Sequence, residues 1–322
     1  MPAPASGHTI QRPDLGAMLK EYQDEEAQTK FIGLRVLPLF VTPSDASDYP
    51  IMPREALLKL PRTERGPRGT YARDDWEFEL GQFSTQEHGL EEVVSDKEAR
   101  LYLRYLQAEL VAGRRIVSKL LRSLEKRIAA AVFNITNFTV HNVGTEWDNA
   151  AADILTDIVT GKAAVRAAVG IIPDTLVVGY DTYIKMSYNT AMIAQIKYVS
   201  TAVEEGILPP SVLARFLGLK QVLVGDAIYD SAGKGLATTA AEIWDHEYAM
   251  LCRVAESTGS TADILEPCIG RTFMWNVDSP NVINTEAYRE EQRRSGVVRV
   301  RHELIEQIFY AECGYLFGNV HT

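Results

Sequence analysis

Three short runs of this sequence hold residue types that do chemistry. His302-Glu303-Leu304-Ile305-Glu306 opens like the His-Glu-x-x-His motif of metalloproteases. There, two histidines four apart on one helical face bind zinc and the glutamate serves as general base. The fifth position here is Glu306, and the flanking residues alternate with a strand's period of two, so no zinc site is expected. Ala232-Gly233-Lys234-Gly235-Leu236 hints at a phosphate-cradling loop, but Gly235 stands where a Ser or Thr must hold magnesium, and the upstream glycine is missing. It reads as a loop tip. Asp245-His246-Glu247 could orient a general base, with Ser231, Ser257 or Ser260 as nucleophile, yet no Gly-x-Ser-x-Gly turn marks one. His88, His141 and His321 stand alone and read as structural or exposed. Cys252, Cys268 and Cys313 are odd in number and widely spaced, which suits neither a disulfide framework nor a zinc cluster. They read as free thiols. No catalytic residue, cofactor or metal ligand is assigned.

Composition bounds the rest. At 322 residues, 46% hydrophobic and 24% charged, the chain has ordinary globular composition and length for about two domains. The most apolar stretch, Ala163 to Gly179, is interrupted by Arg166, Pro173 and Asp174, so no membrane span is expected. Residues 1–30 lack the basic start and apolar centre of a signal peptide and carry Asp14, Glu21, Asp24, Glu25 and Glu26, which points to a cytoplasm-like compartment. A net charge of −10 argues against a dedicated nucleic-acid binder. Between residues 96 and 133, Lys97, Arg100, Arg104, Arg114, Arg115, Lys119, Arg122, Lys126 and Arg127 outnumber the acids. That bias reads as a solvated helix face in preference to a nucleic-acid surface.

The elements that would position any site are dominated by one segment, Ser95 to Phe133. Leu101, Tyr105, Ala108, Ala112, Ile116, Leu120, Leu124, Ile128 and Ala131 recur at spacings of three and four, and Ser95 with Glu98 forms a capping box. A continuous helix of about 39 residues would be a rod ~58 Å long. Before it, Arg62, Arg65, Arg68 and Arg73 sit among prolines and glycines. Trp76, Phe78 and Leu80 then alternate with charges, as on a strand with one covered face. With Ile51 to Leu60 opposite, residues 50–94 read as a long hairpin whose tip has nothing of its own to bury against and so needs a partner.

Residues 1–30 read as a polar arm with a short helix near Leu15 to Gln28, and Phe31 to Val41 as an edge strand. A second helix is expected from Glu146 to about Ile171, ended by Pro173. Strands are expected at Thr175–Gly179 and Gln221–Gly225, and helices at Asp181–Asn189, with Tyr183, Ile184 and Tyr188 inward, and at Val212–Phe216. Further strands are expected at Glu242–Met250, Arg271–Trp275 and from Val297 to Tyr310. Helices and strands without regular alternation make the class α+β.

This order of features resembles the major capsid proteins of tailed bacteriophages, the Hong Kong 97-type fold. An arm (1–49) and an extended hairpin loop (50–94) precede a long rod (95–133) that looks like the family's spine helix. Pro173-Asp-Thr-Leu-Val-Val-Gly-Tyr-Asp-Thr-Tyr183 is similar to the passage into the family's axial domain, and Leu213 to Tyr229 looks like a recurrent phrase in it. The resemblance implies a peripheral domain (95–175 and 290–322) and an axial domain (176–289). It implies a structural, non-catalytic protein that self-assembles into hexamers and pentamers of an icosahedral head in the host cytoplasm and becomes part of the virion. Its implied partners are copies of itself, scaffolding, portal and decoration proteins, and packaged double-stranded DNA held without sequence preference; no membrane is involved. Because the arm begins almost at Met1, a separate scaffolding protein or none is expected. Arg62, Arg65, Arg68, Arg73, Trp76 and Phe78 become the candidate subunit-interface residues, with the arginines facing acidic groups of a neighbour. Lys59, the lone lysine of 50–94, is assigned no cross-link. The rivals are an encapsulin-like nanocompartment shell and a cytosolic α+β enzyme with its site between Cys252 and Trp275.

Overall fold

The period-two run near the end of the chain organises the structure. The computed structural model describes residues 10–11, 15, 18–19, 31–53, 58–60, 63–65, 67, 69–71, 73, 78–102, 107–199, 208–259, 263–277 and 282–321. In chain order these form β1 (Ile10–Gln11), one helical turn α1 (Gly33–Val36), β2 (Leu39–Thr42), β3 (Ala46–Ile51), β4 (Glu79–Ser84), β5 (Gln86–Ser95), α2 (Asp96–Tyr102), α3 (Ala108–Val132) and β6 (Val140–Asn142). There follow α4 (Ile154–Val169), β7 (Thr175–Gly179), α5 (Tyr180–Tyr188), α6 (Thr190–Val199), α7 (Pro210–Leu217), β8 (Gln221–Gly225), β9 (Ile228–Asp230) and β10 (Ala240–Glu242). The chain closes with β11 (Ala249–Cys252), β12 (Gly270–Trp275), β13 (Asn284–Glu290), β14 (Ser295–Ile308) and β15 (Gly314–Gly318).

Two larger sheets result. In the first, ordered β1-β13-β14-β12-β2, β14 pairs antiparallel with β13 and β12, while β5 pairs along it from Ser95 opposite Ser295 to Gln86 opposite Leu304. Even-numbered Val298, Val300, His302 and Leu304 are buried beneath α3; odd-numbered Arg299 and Arg301 face the other way and pair with carboxylates. The second sheet is ordered β6-β15-β11-β7-β8. Its strand β7 is buried at every position, because Val177 faces the α3 core while Leu176 and Val178 face α4, α5 and α7. Helices α4 and α7 end at Gly170 and Gly218, both left-handed, and the Lys162 ammonium donates to the Leu217 and Gly218 carbonyls at 2.5 and 2.8 Å.

Several sequence expectations are corrected. The rod is not continuous: α2 ends at Tyr102, Gln107 is extended, and α3 starts at Ala108, with 103–106 outside the described residues. The capping box itself forms, Glu98 N–H donating to Ser95 Oγ at 3.2 Å and that hydroxyl to the Glu98 carboxylate at 2.9 Å. The break follows from tertiary contact, since Arg115 Nη1 lies 2.8 Å from Glu92 Oε1. In a straight helix from Ser95 that arginine would stand ~30 Å along the axis. Turning back lets Ile116, Val117, Leu120, Leu121, Leu124 and Ile128 cover the sheet. At roughly 1.5–3 kcal/mol per buried side chain, that outweighs a few tenths per residue of helix propensity.

Phe31–Val41 holds a helical turn before its edge strand. There Phe31, Ile32, Val36 and Leu37 bury in the α3 core, so this part of the arm belongs to the subunit body. Leu15 and Leu19 are buried there too, and Leu19 lies against Gly113. The second helix starts at Ile154, where the Asp153 carboxylate accepts from Thr156 N–H at 3.2 Å, because the preceding turns seat Trp147 in the core. Residues 243–248 are turns between β10 and β11, and Tyr188 points outward. Strand β5, from residues 50–94, and β12 and β13, from residues 176–289, all pair with β14, whereas β6 and β15 join the second sheet, so backbone pairing groups strands from distant parts of the chain.

One packing site carries a pH dependence. His302 is 1% exposed under α3; Arg127 Nη2 donates to its Nε2 at 3.4 Å, the Arg127 guanidinium pairs with Glu306 at 3.0 Å, and the His88 ring stands 5.7 Å away. Burial first, then the Arg127 charge, pushes the His302 pKa down to about 3, and the same two causes lower His88. A base whose pKa is lower folded than unfolded favours folding only while neutral. Stability is therefore full above ~6.5 and falls as pH drops toward the folded value, by ~1.4 kcal/mol per unit for His302. Acidifying from pH 7 to 5 is expected to cost ~2 kcal/mol through this residue. Urea denaturation of His302→Gln over that range should show a visibly flatter profile; an unchanged slope would refute the assignment.

Candidate subunit interface

The hairpin is built on its base. Strands β3 and β4 pair antiparallel from Ala46 opposite Ser84 to Ile51 opposite Glu79. Register puts Tyr49 across from Gly81, and the ring lies directly over that glycine, where any Cβ would meet it at 2.4 Å. On the inner face Tyr49 and Phe83 enter an aromatic cluster: Phe83 stacks on Phe273 at 4.2 Å and 6°, and Tyr49 lies 4.9 Å from Phe309. The Met52 N–H donates to the Tyr310 hydroxyl at 2.9 Å, and Leu58 Cδ2 rests against Gly170 at the end of α4.

The return leg is fixed just as firmly. β4 leads through Thr85 into β5, which lies along β14, and a line of ion pairs locks it there. Arg299 Nε meets Glu91 at 2.6 Å and Arg301 Nη1 meets Glu87 at 3.6 Å across to β5. Arg301 Nη2 joins Glu286 of β13 at 2.9 Å, and Arg289 of β13 holds Asp96, just past β5, through two nitrogens at 2.9 and 2.7 Å. The Arg289 guanidinium keeps the Asp96 carboxyl below the ordinary carboxylate range. Neither the aromatic clamp nor this ladder was identified from the sequence. The alternation of Arg299 and Arg301 with valines was its one visible signal.

Beyond the base, the described residues are exposed. Leu60 is 95%, Leu80 69% and Phe78 47% accessible, and Tyr71 is open as well. Of the predicted interface residues, Arg62, Arg68 and Trp76 lie outside the described residues. Arg65 is exposed with its guanidinium 4.7 Å above the Tyr71 ring, and Arg73 is exposed. The structure thus brings Arg65 to Tyr71. Among the described residues past the clamp, apolar side chains such as Leu60 and Tyr71 are left uncovered.

Several of the residues weighed for chemistry have structural partners, and Ser260 lies outside the described residues. Ser257 Oγ bonds Glu266, and the buried Arg271 guanidinium donates to Ser257 O, Ser257 Oγ, Asp263 O and Glu266 Oε2 at 2.6–2.9 Å, stitching the 256–266 loop to β12. Cys252, Cys268 and Cys313 are buried; burial raises the thiol pKa of Cys252 and pushes that of Cys268 up to about 11, away from the reactive thiolate. His246 Nδ1 lies 3.2 Å from Glu242, and Gly233 to Gly235 form the tip of the β9–β10 hairpin. Among the described residues no helix is long and apolar enough to cross a membrane.

Comparison with known proteins bears on this arrangement. No known family profile matches the chain. It is 25% identical over 298 residues to the major capsid protein of Burkholderia phage BcepMu, covering 90% of this chain and 92% of that one. In structure it is similar to a phage-related protein from Bordetella bronchiseptica RB50, with TM-score 0.70, 17% identity and coverage of 97% of this chain and 98% of that chain. It is also similar to the capsid of cyanophage P-SCSP1u, with TM-score 0.56, 10% identity and coverage of 88% and 86%. The chain therefore has the Hong Kong 97-type fold of tailed-bacteriophage capsid proteins and resembles a phage major capsid protein along nearly its whole length.

Proposed function

We infer that this chain is the major capsid protein of a tailed bacteriophage, a non-catalytic building block that assembles with copies of itself into the shell of the virion. The observation that carries this reading is the clamped hairpin: its base is held by Tyr49, Phe83 and the β5–β14 ladder, while Leu60, Phe78 and Leu80 stay open in a single copy. Covering them takes a neighbour, and a subunit contact of ordinary size buries ~1,200–2,000 Å². Hexamers and pentamers around packaged double-stranded DNA, assembled in the host cytoplasm with scaffolding, portal and decoration proteins, follow from the capsid likeness as the finer form of the proposal. Sequence similarity to a phage capsid protein favours this over an encapsulin-like compartment. Among the described residues between Cys252 and Trp275, the cysteine thiols are buried and Arg271 stitches the loop to β12, which supports a structural role for this region over the enzyme reading.

Negative-stain microscopy and size-exclusion chromatography of the purified chain test it. Closed particles of megadalton size are expected; a discrete dimer or tetramer would overturn the reading, and a protein cargo inside the particles would transfer it to the encapsulin class.

A further inference from the structure

Helix α3 turns a line of positive charge away from the core. Arg115, Lys119, Arg122 and Lys126 follow one another at i, i+4, i+7 and i+11, the spacing that keeps side chains on one ridge of a helix. Opposite them Ile116, Val117, Leu120, Leu121 and Leu124 are buried. The acids of α3, Glu109 and Glu125, fall off this line, and Glu125 is buried. Lys119 is exposed; Arg115 is largely exposed while pairing with Glu92; Lys126 stands 3.7 Å above the Tyr229 ring. Arg122 is half-buried: its Nε is shielded from water and has no hydrogen-bond partner among the described residues, so that atom is not part of the exposed ridge. Four cations in succession have no apolar residue between them on the ridge, whereas protein–protein interface cores are depleted of charge.

We propose that the Arg115–Lys119–Arg122–Lys126 ridge is a phosphate-contact surface that lies against packaged duplex DNA on the inner wall of the shell. The ridge spans ~17 Å at 1.5 Å per residue, the length over which one DNA strand presents about five phosphates. Contacts of this kind need only charge at suitable spacing and carry no sequence preference, as a packaged genome requires. The chain's net charge of −10 repels DNA elsewhere, so close contact is confined to such a line. Screening over ~8 Å at physiological salt keeps the ridge's field local. This inference rests on the capsid reading for the identity of the DNA, but its test separates the two.

Full-length chain, dissociated from particles, is titrated against a labelled 40-base-pair duplex at increasing salt, in wild-type and Lys119→Glu/Arg122→Glu forms. Four contacts give a log–log salt slope near −3.6, and losing two is expected to bring it to about −1.8 with at least tenfold weaker binding at low salt. Particle formation by microscopy and the melting temperature are expected to be unchanged. If the reversal lowers the melting temperature, Lys119→Gln/Arg122→Gln is used, with the same fall in slope expected. Unchanged DNA binding in the variant overturns the proposal, as does loss of particles with DNA binding intact, which would make the ridge a subunit contact. A wild-type chain that binds DNA through the ridge yet forms no particles would uphold the ridge and sink the capsid reading instead.

Discussion

Glu125→Gln is expected to destabilise the subunit by about 3–5 kcal/mol, read as an earlier first transition in urea or a melting temperature lower by roughly 5–10 °C. Glu125 is buried in the middle of α3, and its two oxygens accept from Ile32 N–H at 2.9 Å, Gly33 N–H at 2.7 Å and Trp244 Nε1–H at 2.6 Å. One carboxylate thereby joins the start of α1, the long helix and the loop before β11. Burial raises its pKa, and the three donors pull it back. Glutamine offers one acceptor oxygen to three donors and points an amide N–H₂ at the others, so at least one buried donor goes unpaired at ~1–3 kcal/mol and the amide is itself misplaced. Trp244→Phe removes one donor and keeps the ring, and should cost about 1–2 kcal/mol. A glutamine variant as stable as wild type would mean that the three contacts do not hold these elements together.

Deleting residues 61–70 is expected to abolish particles while leaving the subunit's melting temperature nearly unchanged. The clamp that orders the hairpin, Tyr49 and Phe83 on Phe273 and Phe309, lies outside the deletion, and so does the β5–β14 pairing. The described residues of the deleted segment are exposed, and what it would bury against a neighbour is this ribbon. Trp76→Ala should likewise weaken assembly more than it lowers monomer stability. Phe83→Ala is the contrasting case: it empties part of the clamp and should lower both, with ~3–5 kcal/mol lost from folding. Normal particles from the deletion variant would show that the ribbon is not the contact that builds the shell.

Local chemistry was legible where neighbouring residues decide the outcome. The Ser95–Glu98 box caps α2, Gly218 ends α7, and the apolar runs Thr175–Gly179 and Gln221–Gly225 are strands. Ala112, Ile116, Leu120, Leu124 and Ile128 form the buried stripe that their spacing demands. The expectation that both arm and hairpin reach outward was half right. Among the described residues, Leu15, Leu19 and Phe31 to Leu37 find their own core, while the hairpin keeps Leu60, Tyr71 and Leu80 open. Amphipathic periodicity says which face must be buried, never by what.

Residue types and their spacing were enough for the α+β class and for the local caps and strands that compose it, because each depends on side chains within a few positions of one another. The break after Tyr102, the sorting of strands into two sheets, the aromatic clamp and the Glu125 junction depend on partners from 23 positions apart (Arg115 and Glu92) to 260 apart (Tyr49 and Phe309). Their burial energy accrues only once the sheets and α3 are stacked, and no window of sequence contains both sides of such a contact.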